Sequence, residues 1–153
     1  MNVLVINGPN LNLLGEREPD VYGRRTLDEL IVELSAHAQE LGVTLRAFQS
    51  NHEGEIIDEL HASRAWADAI IINPAAFTHY SYAIRDALLA VAKPAAEVHL
   101  SDVEQRAGDF RKISVIRDIV AHRFAGLGFD SYHQALDVLV ADYHAAHPRR
   151  AER

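Results

Sequence analysis

A chain of 153 residues, 48% of them hydrophobic, is long enough to bury the core of one domain and too apolar for general disorder. Its formal net charge of −7, spread along the chain, leaves no basic face for nucleic acid, although local arginines remain compatible with an anionic small substrate. The absence of cysteine excludes disulfides, thiolate metal ligands and a cysteine nucleophile.

Met1 leads straight into an apolar strand, so no signal peptide is expected. No apolar run approaches the roughly 20 residues of a spanning helix. The expectation is a cytoplasmic protein without membrane contact. Val3 to Ile6 is a short β-branched run that suits a central parallel strand covered on both faces. It empties through Asn7-Gly-Pro into a polar loop to Gly23, which carries Asn10, Asn12, Arg17 and Tyr22. Thr26 opens a helix, with Glu29 in capping-box spacing. Leu27, Leu30, Ile31, Leu34, Ala38 and Leu41 give that helix one apolar face, and Gly42 stops it. Val43 to Gln49 is a second strand, Glu53 to Ala65 a second helix, and Ala69 to Ile72 a third strand ending at Asn73-Pro74. Phe77 to Ser81 is a loop into a helix that reaches about Val91, and Lys93-Pro94 breaks it. Ala95 to Leu100 is a fourth strand. Arg106 to Ile113 is a short charged segment of one or two helical turns. Ile119 to Phe124 is a candidate fifth strand, Gly126 to Asp130 a turn, and Ser131 the cap of a last helix through Tyr143. Residues 1–146 form one domain, and His147 to Arg153 is a frayed tail.

Strands alternating with helices indicate a single α/β domain with a parallel sheet and helices on both faces. Ligands of such sheets bind beyond the carboxyl ends of the strands. The polar groups Asn7 to Asn10, Asn51-His52, Asn73-Pro74 and His99 to Ser101 all fall there. Strand ends are also polar for ordinary reasons, so individual residues have to carry the argument. Glu97 and His99 lie two apart in a strand and share a face. A carboxylate within Ala-Ala-Glu-Val-His-Leu needs a partner, and a bond to the imidazole would fix its tautomer for proton transfer. A purely structural Glu–His pair is the alternative.

Arg17 and Tyr22 share one loop. A guanidinium favours a phenolate over a phenol, which suits a general base, whereas a plain surface tyrosine is the bland reading. Asn73 offers an amide to a ligand or simply makes a turn. His79 suits substrate hydroxyls or a helix cap. Arg106 and Arg111 suit a carboxylate clamp or solvation. The backbone N–H groups of Leu100 and Ser101 suit an anion. No dinucleotide fingerprint, Walker lysine motif or nucleophile elbow is present. The lysines, Lys93 and Lys112, lie outside apolar strands, which disfavours a Schiff base. No metal motif is found among the nine histidines.

The runs Asn7-Gly-Pro-Asn-Leu-Asn-Leu-Leu-Gly15, Arg17, Pro19 and Tyr22-Gly23 resemble the type II 3-dehydroquinate dehydratases. So do Gln49-Ser-Asn-His-Glu-Gly54, Asn73-Pro-Ala-Ala-Phe-Thr-His79, Ile84-Arg-Asp86 and Glu97-Val-His-Leu-Ser101. The likeness runs from Val3 to about Leu139. It implies a flavodoxin-like three-layer fold with five parallel strands and a lyase that uses no cofactor. Such an enzyme converts 3-dehydroquinate to 3-dehydroshikimate by anti elimination through an enolate, in the shikimate pathway of aromatic amino acid biosynthesis or in quinate catabolism. By matching position, Tyr22 would be the general base, Arg17 would keep it ionised, and His99, oriented by Glu97, would be the general acid. Asn10 would hold a water at the enolate. Asn73, His79, Leu100, Ser101, Arg106 and Arg111 would bind substrate. Asp86 would reach the site of a neighbouring subunit in a dodecamer built of trimers. Two departures stand out. Arg106 and Arg111 are five apart where the family spacing is four, which places an extra residue near Gly108, and Tyr80 replaces the usual threonine.

Two further readings stay open at this level. A flavodoxin-like binding or signalling module would need a flavin loop or acidic phosphoacceptor pocket. Asp20 and Asp28 are not at strand ends, and no aromatic pair is placed to sandwich a flavin. A lyase or isomerase acting on a related hydroxylated ring acid is the other.

Overall fold

A computed structural model describes residues 1–148. Five parallel strands form one sheet in the order β2-β1-β3-β4-β5: β1 (Asn2–Asn7), β2 (Thr44–Gln49), β3 (Ala69–Asn73), β4 (Ala95–His99) and β5 (His122–Ala125). This is the flavodoxin-like order, with its switch point between β1 and β3. The longer helices are α2 (Leu27–Glu40), α3 (Glu53–Ser63), α4 (Tyr82–Val91) and α5 (Asp130–Ala146), and a single turn, α1 (Pro19–Tyr22), sits in the first loop.

Side chains alternate across the sheet and divide the core in two. Val3, Val5, Ile71, Ala96 and Val98 pack under α2 and α5. Leu4, Ile6, Ile70, Ile72 and Ala95 pack under α3 and α4. Helices therefore cover both faces, as the apolar strand sequences require. At the switch point Gly8 donates to the Asn73 carbonyl at 2.8 Å. A Cβ at Gly8 would collide with the Pro74 carbonyl, so glycine permits the two strand ends to close together. The capping box at Thr26 and Glu29 forms as its spacing indicates.

Strand ends elsewhere shift by a residue, and three places differ further from the sequence expectation. The fifth strand is not Ile119–Phe124 but His122–Ala125. Ile119 and Val120 belong instead to turns closed on the Ile116 carbonyl, and their apolarity serves packing against the α3/α4 core. Ser131 does not cap the last helix. Turn hydrogen bonds from Asp130, Ser131 and Tyr132 to Leu127, Gly128 and Phe129 start the coil earlier, and Ser131 Oγ instead accepts from Leu127 N–H at 3.3 Å. The second helix stops at Ser63 rather than Ala65. Of the expected tail, His147 is tied back by ring stacking on Tyr143 at 4.4 Å, and residues 149–153 lie outside the described residues. Among the described residues, no helix is long and apolar enough to cross a membrane.

Candidate active site

The carboxyl ends of β1, β3 and β4 open into a cleft of about 160 Å³. Its floor comes from the strand ends. Asn10 follows β1 with a left-handed backbone, φ 68°, and its N–H donates to Asn51 Oδ1 at 2.9 Å. Gln49 donates to the Gly8 carbonyl at 3.2 Å and to Asn51 Oδ1 at 3.2 Å. The end of β2 thus braces the first loop from outside.

Asn73 ends β3. Its Oδ1 accepts from Ala75 N–H at 3.1 Å, and its Nδ2 donates to Tyr132 Oη at 2.9 Å. The Tyr132 hydroxyl donates onward to Asn7 Oδ1 at 2.6 Å. Burial pushes the Tyr132 phenol far up, against a smaller opposing effect of the Asn73 bond, so it stays neutral. Sequence reasoning missed Tyr132. The available signal was a phenol at helical spacing from Ala135, Leu136 and Leu139 on the buried face of α5, where a buried hydroxyl needs a partner.

Glu97 and His99 leave β4 on the same face. Nε2 of His99 donates to Glu97 Oε1 at 2.7 Å. Glu97 is 0% exposed and His99 3%. Ser114, also unanticipated, donates to Glu97 Oε2 at 2.8 Å. Burial pushes the Glu97 carboxyl up, but the bond and charge of His99, the Ser114 bond and the Arg123 charge together outweigh it, and the group is held below the usual carboxylate range. No protein partner binds His99 Nδ1 among the described residues, and the ring lines the cleft.

His79 closes another wall from a 3₁₀ turn, Ala75–His79. Its Nδ1 donates to the Ile113 carbonyl at 2.6 Å. Burial holds its pKa below 6.5, opposed by the Ile113 bond and aided by the charges of His99 and Arg111. A neutral ring with Nδ1–H committed leaves Nε2 as an acceptor. Leu100 and Ser101 line the cleft beyond His99, and Arg111 lines it from a turn over Asp109–Lys112. Arg111 Nε donates to the Ala107 carbonyl at 2.9 Å. Gly108 between the two arginines has φ 106°, so the segment turns there through a glycine, and both Arg106 and Arg111 reach the cleft.

The first loop forms the lid. Arg17 lies over the Tyr22 ring at 5.1 Å and bonds Glu18 at 3.0 Å. Arg106, rather than Arg17, donates to the Tyr22 hydroxyl oxygen. Its second nitrogen reaches Glu18 Oε2 at 3.2 Å. The Arg17 bond first, then the Arg106 and Arg111 charges, overcome some burial and hold the Glu18 carboxyl below its usual range. The structure thus gathers eleven of the twelve expected residues. Ten line the cleft and Glu97 lies behind His99. Asp86 is the exception, exposed on α4 and away from the cleft. Neither lysine lines the cleft. No group of three or more potential metal-ligating side chains occurs among the described residues.

Residues 1–140 match the family model described as Dehydroquinase class II. The 3-dehydroquinate dehydratase of Aeromonas hydrophila is 53% identical over 144 residues, covering 94% of this chain and 96% of that protein. The catabolic 3-dehydroquinase of Aspergillus clavatus is 49% identical over 142 residues, covering 93% and 94%. The crystal structure of type II dehydroquinase from Butyrivibrio crossotus superposes with a TM-score of 0.88 at 43% identity, over 91% of this chain and 97% of that one.

Proposed function

We infer that this chain, which belongs to the dehydroquinase class II family, dehydrates 3-dehydroquinate to 3-dehydroshikimate with Tyr22 as base and His99 as acid. The observation that carries the roles is the placement of two proton-transfer groups on different elements lining one cleft. Tyr22 comes from the lid and His99 from the sheet end.

The substrate is a β-hydroxy ketone. Tyr22, as phenolate, takes the proton from the carbon beside the ketone, and the C–H electron pair moves into an enolate. Charge on the phenolate is met by the Arg106 bond and by Arg17 over the ring. The enolate oxygen is held through a water at Asn10. Collapse of the enolate then breaks the C–O bond, and the leaving hydroxyl takes the His99 proton and departs as water. The ring is left with a conjugated enone, and one proton passes through solvent from Tyr22 to His99 to reset the pair. Proton and hydroxyl leave from opposite faces, an anti elimination.

Neutral His79 accepts from a substrate hydroxyl through Nε2, and Asn73, with the tyrosine-fixed amide, serves a second polar group. Arg111 and the Leu100–Ser101 backbone bind the carboxylate. Positioning and preorganised charge supply the rate, because both proton transfers use groups already held in place. No cofactor enters any of these steps. Asp86 acts across a subunit boundary in a dodecamer built of trimers, which fits its exposure on α4 and its distance from its own cleft. The same dehydration serves the shikimate pathway and quinate catabolism, and relatives named 3-dehydroquinate dehydratase and catabolic 3-dehydroquinase both match.

Tyr22→Phe and His99→Ala should each lose most turnover and keep the wild-type circular dichroism spectrum. Near-full activity in either variant would overturn its role. Borohydride with substrate should leave activity intact, since no lysine is placed to form an imine.

A further inference from the structure

The Glu97 carboxylate is held by more than its histidine. Arg123 stands opposite Glu97 in the parallel register of β4 and β5, so its side chain leaves the sheet on the same face. Its Nε lies 3.3 Å from Glu97 Oε1, the oxygen that also receives His99 Nε2. This nitrogen is buried and makes no aligned hydrogen bond among the described residues. The contact is therefore one of charge. The far end of the guanidinium is anchored, with Nη1 3.5 Å from Glu104 Oε1, and Arg117 bonds Glu104 in turn. With Ser114 on Oε2, both oxygens of Glu97 are occupied, and a chain of alternating charge runs from His99 to the surface.

A buried carboxylate facing only a histidine would hold an imidazolium tightly, making a good base and a poor acid. A guanidinium on the same oxygen draws part of that field away. It also removes the freedom of the carboxylate to rotate, and with it the freedom of the ring. An arginine on an edge strand has another ordinary use, since charge there blocks pairing with a second sheet. That use would orient Arg123 toward solvent. Instead its side chain is only 21% exposed and meets a carboxylate that is fully buried.

We propose that Arg123 is a positioning residue for the dehydration: by sharing Glu97 Oε1 with His99 it fixes the carboxylate and weakens its stabilisation of the imidazolium from which His99 donates a proton. This rests on the assignment of His99 as the acid. The other charged or titratable groups around the His99 ring are His79, Arg111 and, from the lid side, Tyr22, Arg17 and Arg106, and none of them changes in the variants below.

Arg123→Gln should lower kcat about tenfold or more with KM changed less than about threefold. The limb of the kcat–pH profile that reports the Glu97–His99 pair should move up by about half a pH unit or more, because loss of a nearby cation favours the protonated pair. Arg123→Lys, which restores the charge, should recover most of both effects. A folded Arg123→Gln protein with wild-type kcat and profile would overturn the proposal, as would a lysine variant no better than glutamine. If Arg123→Gln fails to fold, Glu104→Gln decides. It removes the anion that shares the guanidinium and leaves that charge to Glu97, so the same limb should move by a smaller step in the opposite sense, downward, and an unmoved or raised limb would overturn the proposal. An activity-independent reading comes from NMR titration of the His99 ring without substrate, its signal identified by its loss in His99→Ala. Its midpoint should rise in Arg123→Gln, and an unmoved midpoint contradicts the proposal. Wild-type protein that forms no enone would instead refute the dehydratase reading, so the two failures are distinguishable.

Discussion

Tyr132→Phe removes one oxygen from the base of the site and nothing else. That oxygen accepts from Asn73 at 2.9 Å and donates to Asn7 at 2.6 Å, and all three residues are buried. The variant leaves one amide N–H and one amide oxygen without water or partner. Each such group costs about 1–3 kcal/mol. Asn7 and Asn73 are register partners on β1 and β3, so they can turn partly toward each other. Doing so strains the bond from Asn73 Oδ1 to Ala75 N–H. The expected loss is therefore about 2–4 kcal/mol, in the lower part of the summed range. Urea unfolding at fixed protein concentration should show a lower midpoint with an unchanged slope. The loosened Asn73 amide should also raise KM by more than it lowers kcat. A stability loss below about 0.5 kcal/mol together with an unchanged KM would refute the view that this hydroxyl holds Asn73 in place.

Arg106→Met should lower kcat/KM by about 10- to 100-fold, the worth of one or two charge-assisted bonds, because it frees both Tyr22 and Glu18; steady-state kinetics showing less than a twofold change would contradict its part in the lid. Glu97 gives a pH prediction. Its folded pKa lies below its ordinary value of 4.5, so folding favours the ionised form. The stability this contributes is fully present above about pH 4.5 and is lost as pH falls through the lower folded value. The stability advantage of wild type over Glu97→Gln, from denaturant titrations between neutral and acid pH, should therefore hold steady and then shrink only below that point. An advantage that grows on acidification would contradict the sign.

Much of this molecule was legible in its sequence because its central strands are buried on both faces and read as unbroken apolar runs. Val3 to Ile6 and Ala69 to Ile72 needed no tertiary information, and the Thr26–Glu29 box is a local device. The fifth strand was harder for a physical reason. It lies at the sheet edge with polar His122 and Arg123, while the neighbouring Ile119 and Val120 are apolar in order to seat a turn, so hydropathy pointed three residues too early. At the site, Glu97 and His99 were readable because two positions along one strand share a face. Ser114, Arg123 and Tyr132 were not, since each meets its partner across a crossover or a strand register that local spacing does not encode. At Tyr22 both Arg17 and Arg106 lie against the ring and Arg106 also reaches the hydroxyl, because a distant turn folds under the lid. Residues five apart in sequence suggested a pair, and the chain supplied a closer one from 84 positions away.

The central claim is that this cleft removes water from 3-dehydroquinate through Tyr22 and His99. Purified protein mixed with 3-dehydroquinate alone, with no added cofactor, should give an ultraviolet absorbance rise from the conjugated enone. Tyr22→Phe and His99→Ala should each suppress that rise. A protein that folds, is given the substrate and produces no enone would contradict the account.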